Sequence, residues 1–273
     1  MKKYGLLGGK LGHSLSPVIH ESFFKHIGLD GSYELLETEL VALPQRMEQL
    51  ASEFVGVNVT IPHKLNIIPF LDGVAQEAQA IGAVNTIKFT DDGAFGYNTD
   101  YFGFKRLLEY NNIDVKGRSA VVLGSGGAAR AVVKCLADLG VEKPYLVTRR
   151  TDEVDADFLQ ILPELKIIGY NELSQFNGDV LINCTPVGMY PSVEASPISA
   201  DISKAFEASV DLIYNPAETL FLRQARLAGK KYVNGLFMLV AQAVAAQEIW
   251  QAATYDSSLI IKIMDDINKM LHA

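Results

Sequence analysis

The chain is poor in the residues that would make it a disulfide scaffold, a metal protein or a membrane protein. Only two of its 273 residues are cysteine, Cys135 and Cys184. Two thiols make no disulfide framework, and neither lies in a metal-ligand spacing. Both fall in apolar segments and are expected as buried thiols. The five histidines also lack ligand spacing, so no metal is expected. No hydrophobic run approaches the ~20 residues that span a bilayer. The apolar stretch within Met1–Gly8 is broken almost at once, unlike a secretory leader. Positive charge is in deficit: 24 Lys and Arg face 32 Asp and Glu, a formal net charge of −8. Neither nucleic acid nor an anionic membrane is therefore an expected partner, and any anionic ligand must be held by local groups. Repeats and low-complexity segments are absent. What remains is 49% hydrophobic and 21% charged, a globular composition with length for one or two domains. The expected compartment is the cytoplasm.

The apolar and polar patterning alternates strands with helices. Ahead of residue 100 we expect strands at Lys3–Gly8, Tyr33–Thr38 and Val55–Val59, and a strand pair Asn85–Thr90 and Ala94–Tyr97 turned by Thr90-Asp91-Asp92-Gly93. Helices are expected at Pro17–Ile27, Leu43–Glu53, near Pro62, at Val74–Ile81 and from Asp100 to Tyr110. Later strands are expected at Ser119–Leu123, Tyr145–Thr148, Lys166–Gly169, Asp179–Cys184, Val210–Tyr214 and Lys231–Val233, with Leu236 to Ala273 helical. Such alternation means an α/β fold of parallel sheet covered by helices.

The run Ser119–Leu123 leads into Gly124-Ser125-Gly126-Gly127-Ala128 and then a helical pattern to Gly140. Strand, glycine turn and helix together are the context that a dinucleotide fingerprint requires; a plain tight turn is the alternative. An acid about 20 residues on would read the ribose hydroxyls of NAD. The chain instead offers Thr148-Arg149-Arg150-Thr151. Two guanidiniums suit a 2′-phosphate, which a carboxylate would repel, although paired arginines are also common as solvated surface groups. NADP is the expected cofactor, and Asp152 leaves some use of NAD open.

Three earlier segments are unusually polar for their setting. In Gly8–Pro17, Ser16 before Pro17 is a good helix N-cap, yet a helix start also suits a carboxylate, and Ser14 adds a hydroxyl that capping does not need. In Asn58–Lys64 a lysine falls in a first helical turn, where the dipole disfavours its charge. That placement fits either a surface lysine or an acid–base lysine of lowered pKa. In Asn98-Thr99-Asp100 the aspartate reads as an N-cap or a functional acid. Asn85 is an odd polar residue within a strand-like run. His13 and His63 are expected to bond to neighbouring backbone.

Taken in order, the motifs are H-S-x-S-P (His13–Pro17), N-V-T-x-P-x-K (Asn58–Lys64), G-A-V-N-T (Gly82–Thr86) and N-T-D (Asn98–Asp100). They continue with G-x-G-G-A-x-R (Gly124–Arg130), N-x-T-x-x-G-M (Asn183–Met189), D-x-x-Y-x-P-x-x-T (Asp211–Thr219) and M-L-V-x-Q-A (Met238–Ala243). This series resembles the shikimate dehydrogenase family over essentially the whole chain. The resemblance implies an N-terminal α/β substrate domain, a Rossmann-like doubly wound dinucleotide-binding domain, and C-terminal helices returning to the first. The corresponding spans are residues 1–101 with 237–273, and 102–236. It implies NADP-linked reduction of 3-dehydroshikimate to shikimate, with Lys64 as acid/base paired with Asp100. Ser14 and Ser16 would hold the carboxylate, with Tyr214 nearby, and Thr60, Asn85 and Gln242 would read the ring oxygens. Gly124, Ser125, Gly126, Gly127 and Ala128 would take the pyrophosphate. Arg149, Arg150 and Thr151 would take the adenosine phosphate, while Leu212 and Gly235 would approach the nicotinamide. The partner is thus a small molecule, and the chain a monomer or homodimer.

Three positions depart from the family pattern: Lys10 replaces a frequent proline, Arg149 a frequent asparagine, and Glu21 follows His20 where asparagine is frequent. The runner-up readings are a quinate/shikimate dehydrogenase that also uses NAD, a methylenetetrahydrofolate-type dehydrogenase, and a non-catalytic NADP-binding regulator. The His13–Pro17 motif argues against the second. A regulator need not keep both Lys64 and Asp100.

Overall fold

A computed structural model describes residues 1–12 and 14–271. The chain divides into two compact units, Met1–Gly103 with the chain from Val240 onward, and Phe104–Leu239.

The first unit is built on strands β1 (Lys2–Gly8), β2 (Gly31–Glu37), β3 (Gly56–Val59), β4 (Gly73–Val74), β5 (Thr86–Thr90) and β6 (Gly93–Tyr97). They form one sheet in the order β2-β1-β3-β5-β6-β4. β1 runs parallel to β2 and β3, whereas β5 is antiparallel to β3 and β6. The alternation of a strand decides its two environments. Val57 and Val59 of β3 join Leu7, Leu43, Leu50, Ile67, Val84 and Ile87 in an apolar core. Asn58, between them, reaches Tyr33 on β2 and Thr86 on β5. Gly56 must be glycine, because a Cβ there would lie 2.1 Å from Trp250 Nε1, an indole that donates to Ile87 O at 2.8 Å. β3 therefore ends in a fixed place, with Thr60 and Lys64 just beyond it.

The second unit holds six parallel strands, β7 (Ser119–Leu123), β8 (Lys143–Val147), β9 (Lys166–Ile168), β10 (Gly178–Asn183), β11 (Phe206–Asp211) and β12 (Lys231–Val233). Their order is β12-β11-β10-β7-β8-β9. Counted within the unit this is 3-2-1-4-5-6, the doubly wound arrangement whose direction reverses between β7 and β10. Ligands in such sheets bind beyond the carboxyl ends of the strands at that switch point. Strand interiors are continuously apolar, as Ala120–Leu123 and Val180–Ile182 show, because helices cover both faces.

Several expected boundaries differ. The strand expected at Val210–Tyr214 is Phe206–Asp211. Asp211 Oδ1 accepts from Ile213 N at 3.0 Å, and this local bond turns the chain out of the ladder. The expected helix Val74–Ile81 starts at Gln76, and Gly73–Val74 is a short strand beside β6. The C-terminal stretch is two helices, Leu236–Gln251 and Ser257–Leu271. Ala252 takes a positive φ of 51° between them, and Asp256 Oδ1 accepts from Ser258 N to start the second. His272 and Ala273, at the end of the expected helix, lie outside the described residues. Ser16 is not the N-cap. It is the first residue of the helix Ser16–Ile27, with Leu15 at the cap and no side-chain cap bond. Ser16 N donates instead to Ser14 Oγ at 3.2 Å. Nor does Asp100 flank its helix, since it stands in the first turn of Thr99–Tyr110. Of the two thiols, Cys135 is buried while Cys184 is half-exposed. Cys184 follows β10 in a loop that lines a cavity described below.

Candidate active site

In the first unit the polar residues converge around the ends of β3, β5 and β6. His63 follows Thr60 in a tight turn closed by His63 N to Thr60 O at 2.9 Å. Its buried ring bonds through Nε2 to Thr38 O at 2.8 Å, the backbone role expected of it. His13 lies outside the described residues. The buried His63 ring anchors the one-turn helix His63–Asn66, and Lys64 emerges from it half-buried. Lys64 Nζ lies 2.7 Å from Asp100 Oδ2, with side-chain exposures of 22% and 16%. One turn of helix carries little dipole, so the partner carboxylate, not the helix start, governs this ammonium. The pair is shielded enough to be held in register, yet open to a ligand.

Asn85 joins these elements. Lys64 O accepts from Val84 N at 2.9 Å, and Asn85 Oδ1 accepts from Thr99 N at 2.7 Å, next to Asp100. Thr99 Oγ1 also donates to Gln242 Oε1 at 3.4 Å. Lys64, Asn85, Asp100 and Gln242 thus belong to one connected cluster. Ser14 and Ser16 form a second group, their hydroxyls 3.1 Å apart. The loop carrying them is held where Leu11 N donates to Glu37 Oε1 at 2.8 Å. Thr60 is half-buried at the end of β3 and gives its backbone N–H to Leu7 O.

In the second unit Gly124 follows β7 with φ of +94°, and a Cβ there would meet Thr185 Cγ2 at 2.8 Å. This is the close turn the fingerprint requires of its first glycine. Around Gly126 and Gly127 a Cβ would meet nothing within 4 Å, so a bulky anion can approach the backbone. Gly127 opens the twelve-residue helix Gly127–Asp138, whose first N–H groups suit a phosphate. Ser125 is exposed and Ala128 half-buried beside them. A cavity of about 750 Å³ extends from Gly124–Gly126 to Arg149 and Arg150, with Tyr170 and Thr185 on its walls. It lies at the sheet's switch point and fits a phosphorylated dinucleotide. Arg149 and Arg150 are both exposed, and Arg150 pairs with Glu153. Thr151 begins the short turn Thr151–Glu153. Among the described residues no cluster of three metal-ligating side chains occurs.

Leu212 and Gly235 are brought together: a Cβ on Gly235 would fall 2.0 Å from Leu212 O, and Gly235 N donates to Ile213 O at 3.0 Å. Tyr214 is half-buried in the same loop, and burial raises its phenol pKa.

The sequence motifs contain further residues whose roles were not legible. Asp211 is fully buried and accepts from Asn183 Nδ2 at 3.0 Å, Ile213 N at 3.0 Å and Thr219 Oγ1 at 2.6 Å. Burial pushes its carboxyl up to about 6 against the pull of those donors. Two motifs that share no sequence neighbourhood, N-x-T and D-x-x-Y-x-P-x-x-T, are thereby one buried knot behind the Leu212 loop. Arg130 pairs with Asp155 and lies 5.0 Å from the Phe158 ring, which anchors the fingerprint helix. Asn58, Thr86 and Thr99 do comparable work in the first unit. The motifs contain all three, but nothing in residue order says that they bond to one another.

Known proteins match this arrangement. Residues 6–87 fit the family model for the shikimate dehydrogenase substrate binding domain. The shikimate dehydrogenase (NADP(+)) of Clostridium beijerinckii is 45% identical over 95% of each chain. The structure of a chorismate mutase/shikimate 5-dehydrogenase fusion protein from Clostridium acetobutylicum superposes with a TM-score of 0.95 at 43% identity, covering 100% of this chain and 99% of that one. Shikimate 5-dehydrogenase from Thermus thermophilus, in complex with NADP(H) and shikimate, gives 0.87 at 36% identity, covering 97% and 99%. This chain belongs to the shikimate dehydrogenase family.

Proposed function

We propose that the chain interconverts 3-dehydroshikimate and shikimate with NADP as the redox partner, a step in the biosynthesis of chorismate and the aromatic amino acids. The observation that carries this reading is the half-buried Lys64–Asp100 pair at 2.7 Å, set among Asn85, Thr99 and Gln242. When bound, NADPH supplies a hydride to the C3 carbonyl carbon, which leaves negative charge on the oxygen. Lys64 Nζ stands to neutralise that charge and give up a proton, so that NADPH and one proton are consumed for each shikimate formed. In reverse the neutral amine takes the hydroxyl proton. Such a group contributes about 10²–10⁴ in rate. Asp100 orients the ammonium through Oδ2 and accepts from an adjacent ring hydroxyl. Amides and hydroxyls suit a polyhydroxy ring, since a site built for hydroxyls strongly rejects analogues that lack them.

Ser14 and Ser16 are placed to donate to the substrate carboxylate, while Thr60 and Gln242 read ring oxygens. In the second unit Gly124–Ala128 receive the pyrophosphate, Arg149, Arg150 and Thr151 the 2′-phosphate, and Leu212 and Gly235 the nicotinamide. We place the enzyme in the cytoplasm; no helix among the described residues is long and apolar enough to cross a membrane.

The test is kcat/KM for shikimate and for quinate, each with NADP and with NAD. The shikimate–NADP pair should give the highest value. A preference for quinate, or for NAD, would move the chain to the quinate/shikimate reading.

A further inference from the structure

Hydrogen-bond accounting around Asn85 fixes which of its two amide atoms faces a ligand. Thr99 N can only donate, so the Asn85 atom 2.7 Å away is the carbonyl oxygen. The same oxygen accepts from Thr86 Oγ1 at 3.0 Å and lies 3.1 Å from Thr99 Oγ1, whose single proton is shared between it and Gln242 Oε1. The backbone of Asn85 is equally committed: its N–H donates to Tyr97 O, and its C=O accepts from Val59 N. That C=O also accepts from Asn58 Nδ2 at 3.3 Å. A carbonyl can only accept, so Asn58 must present its NH2 here. The NH2 of Asn58 also donates to Thr86 Oγ1 at 3.0 Å. The Thr86 hydroxyl, receiving from Asn58, has its own proton for Asn85 Oδ1 at 3.0 Å, with Thr99 Oγ1 at 3.1 Å as its other neighbour. Tyr33 OH completes the line by donating to Asn58 Oδ1 at 2.7 Å. Asn58, Asn85, Thr86 and Thr99 are exposed by 6%, 3%, 0% and 0%, where no water competes for these bonds. Of the polar atoms of Asn85, Nδ2 is the one for which no hydrogen bond is formed among the described residues.

We infer that Thr86, backed by Asn58, is a positioning residue that turns the Asn85 amide so that its NH2 faces the substrate. Position 85 then recognises an acceptor oxygen on the ring, and no ring donor. This deepens the reading of Asn85 as a substrate contact and rests on it.

The experiment is a double-mutant cycle on the full chain, read as kcat and KM for shikimate and KM for NADP. Asn85→Ala and Thr86→Val should each lower kcat/KM for shikimate about 10- to 100-fold, the loss of one buried hydrogen bond to a polar partner. The NADP KM should stay put. The double variant should be no worse than Asn85→Ala, because Thr86 acts through that amide. Thr86→Ser, which keeps the hydroxyl, should restore shikimate kinetics. Should Thr86→Val fold poorly, Asn85→Asp tests the same direction of bonding: it keeps an acceptor for Thr86 and Thr99 and replaces the outward NH2 with a carboxylate oxygen that can only accept, so it should lose activity at least as far as Asn85→Ala. Losses that add in full, or an active Asn85→Asp, overturn the inference and leave the substrate reading standing. Wild-type kinetics in Asn85→Ala overturn both.

Discussion

Lys64 shows how little a residue type says before its surroundings are known. As one of 24 basic side chains its default role is a solvated charge. A buried His63 anchor and a carboxylate at 2.7 Å place it differently, and the proposed proton transfer rests on that placement. Lys64→Ala should lower kcat by about 10²–10⁴ with much smaller change in shikimate affinity; steady-state kinetics and direct shikimate titration check this. Near-normal kcat would remove Lys64 from the chemistry. The arginines differ from one another. Arg150 shares its charge with Glu153, whereas Arg149 lines the cavity with no ion pair among the described residues. Arg149→Ala should raise the NADP KM about 10- to 100-fold, the loss of a charge-assisted bond, and leave the NAD KM nearly unchanged. Equal effects on both coenzymes would refute the phosphate role.

At the scale of elements, the loop after β11 is the informative one. Asp211 is fully buried with its carboxyl raised from 3.8 to about 6, burial being the larger cause. A carboxyl whose folded pKa exceeds its unfolded value binds more protons when folded. Its ionisation therefore removes stability as pH rises from 3.8 to about 6, and the loss persists above. Asn at this position can accept from Asn183 and Ile213 and donate to Thr219. Asp211→Asn should thus gain stability relative to wild type across that window, by about 3 kcal/mol at ~1.4 per unit. Denaturant midpoints from pH 4 to 8 read this directly, and a pH-independent difference would contradict it. Gly235→Ala puts a Cβ 2.0 Å from Leu212 O. It should destabilise by about 1–3 kcal/mol and weaken NADP more than shikimate. An unchanged denaturant midpoint would show that the Leu212–Gly235 approach is not obligatory.

Elements were more legible than their ends. Lys3–Gly8, Leu43–Glu53 and Ser119–Leu123 stand where periodicity places them, because burial sets the pattern and the pattern is local. The strand end at Asp211 and the helix start at Ser16 were missed because side-chain bonds decided both. Both bonds join residues only two apart, but apolar periodicity carries no information on which way a side-chain oxygen turns.

At the scale of the molecule, each unit is intelligible by itself. The second has the 3-2-1-4-5-6 order, with its cavity at the switch point, as the fingerprint in mid-chain implies. The first combines parallel and antiparallel pairing, which gathers Lys64, Asn85 and Asp100 from separate elements. The motifs around these residues were visible in the chain, but the directed hydrogen bonds from Tyr33 to Asn58, and from Asn58 to Asn85 and Thr86, were not. They join β2, β3 and β5, and strand pairing between distant segments has no signature in residue order. An excess of acid over base likewise says nothing of the local cations that hold anionic ligands.

The central claim is that hydride leaves the C3 carbon of a hydroxylated ring acid for NADP while Lys64 handles the proton. Shikimate carrying deuterium at C3 tests it most directly. With NADP and the wild-type protein, mass spectrometry of the product should find the label in the reduced coenzyme. Deuterium released into water, or no reduced coenzyme at all, would contradict the account.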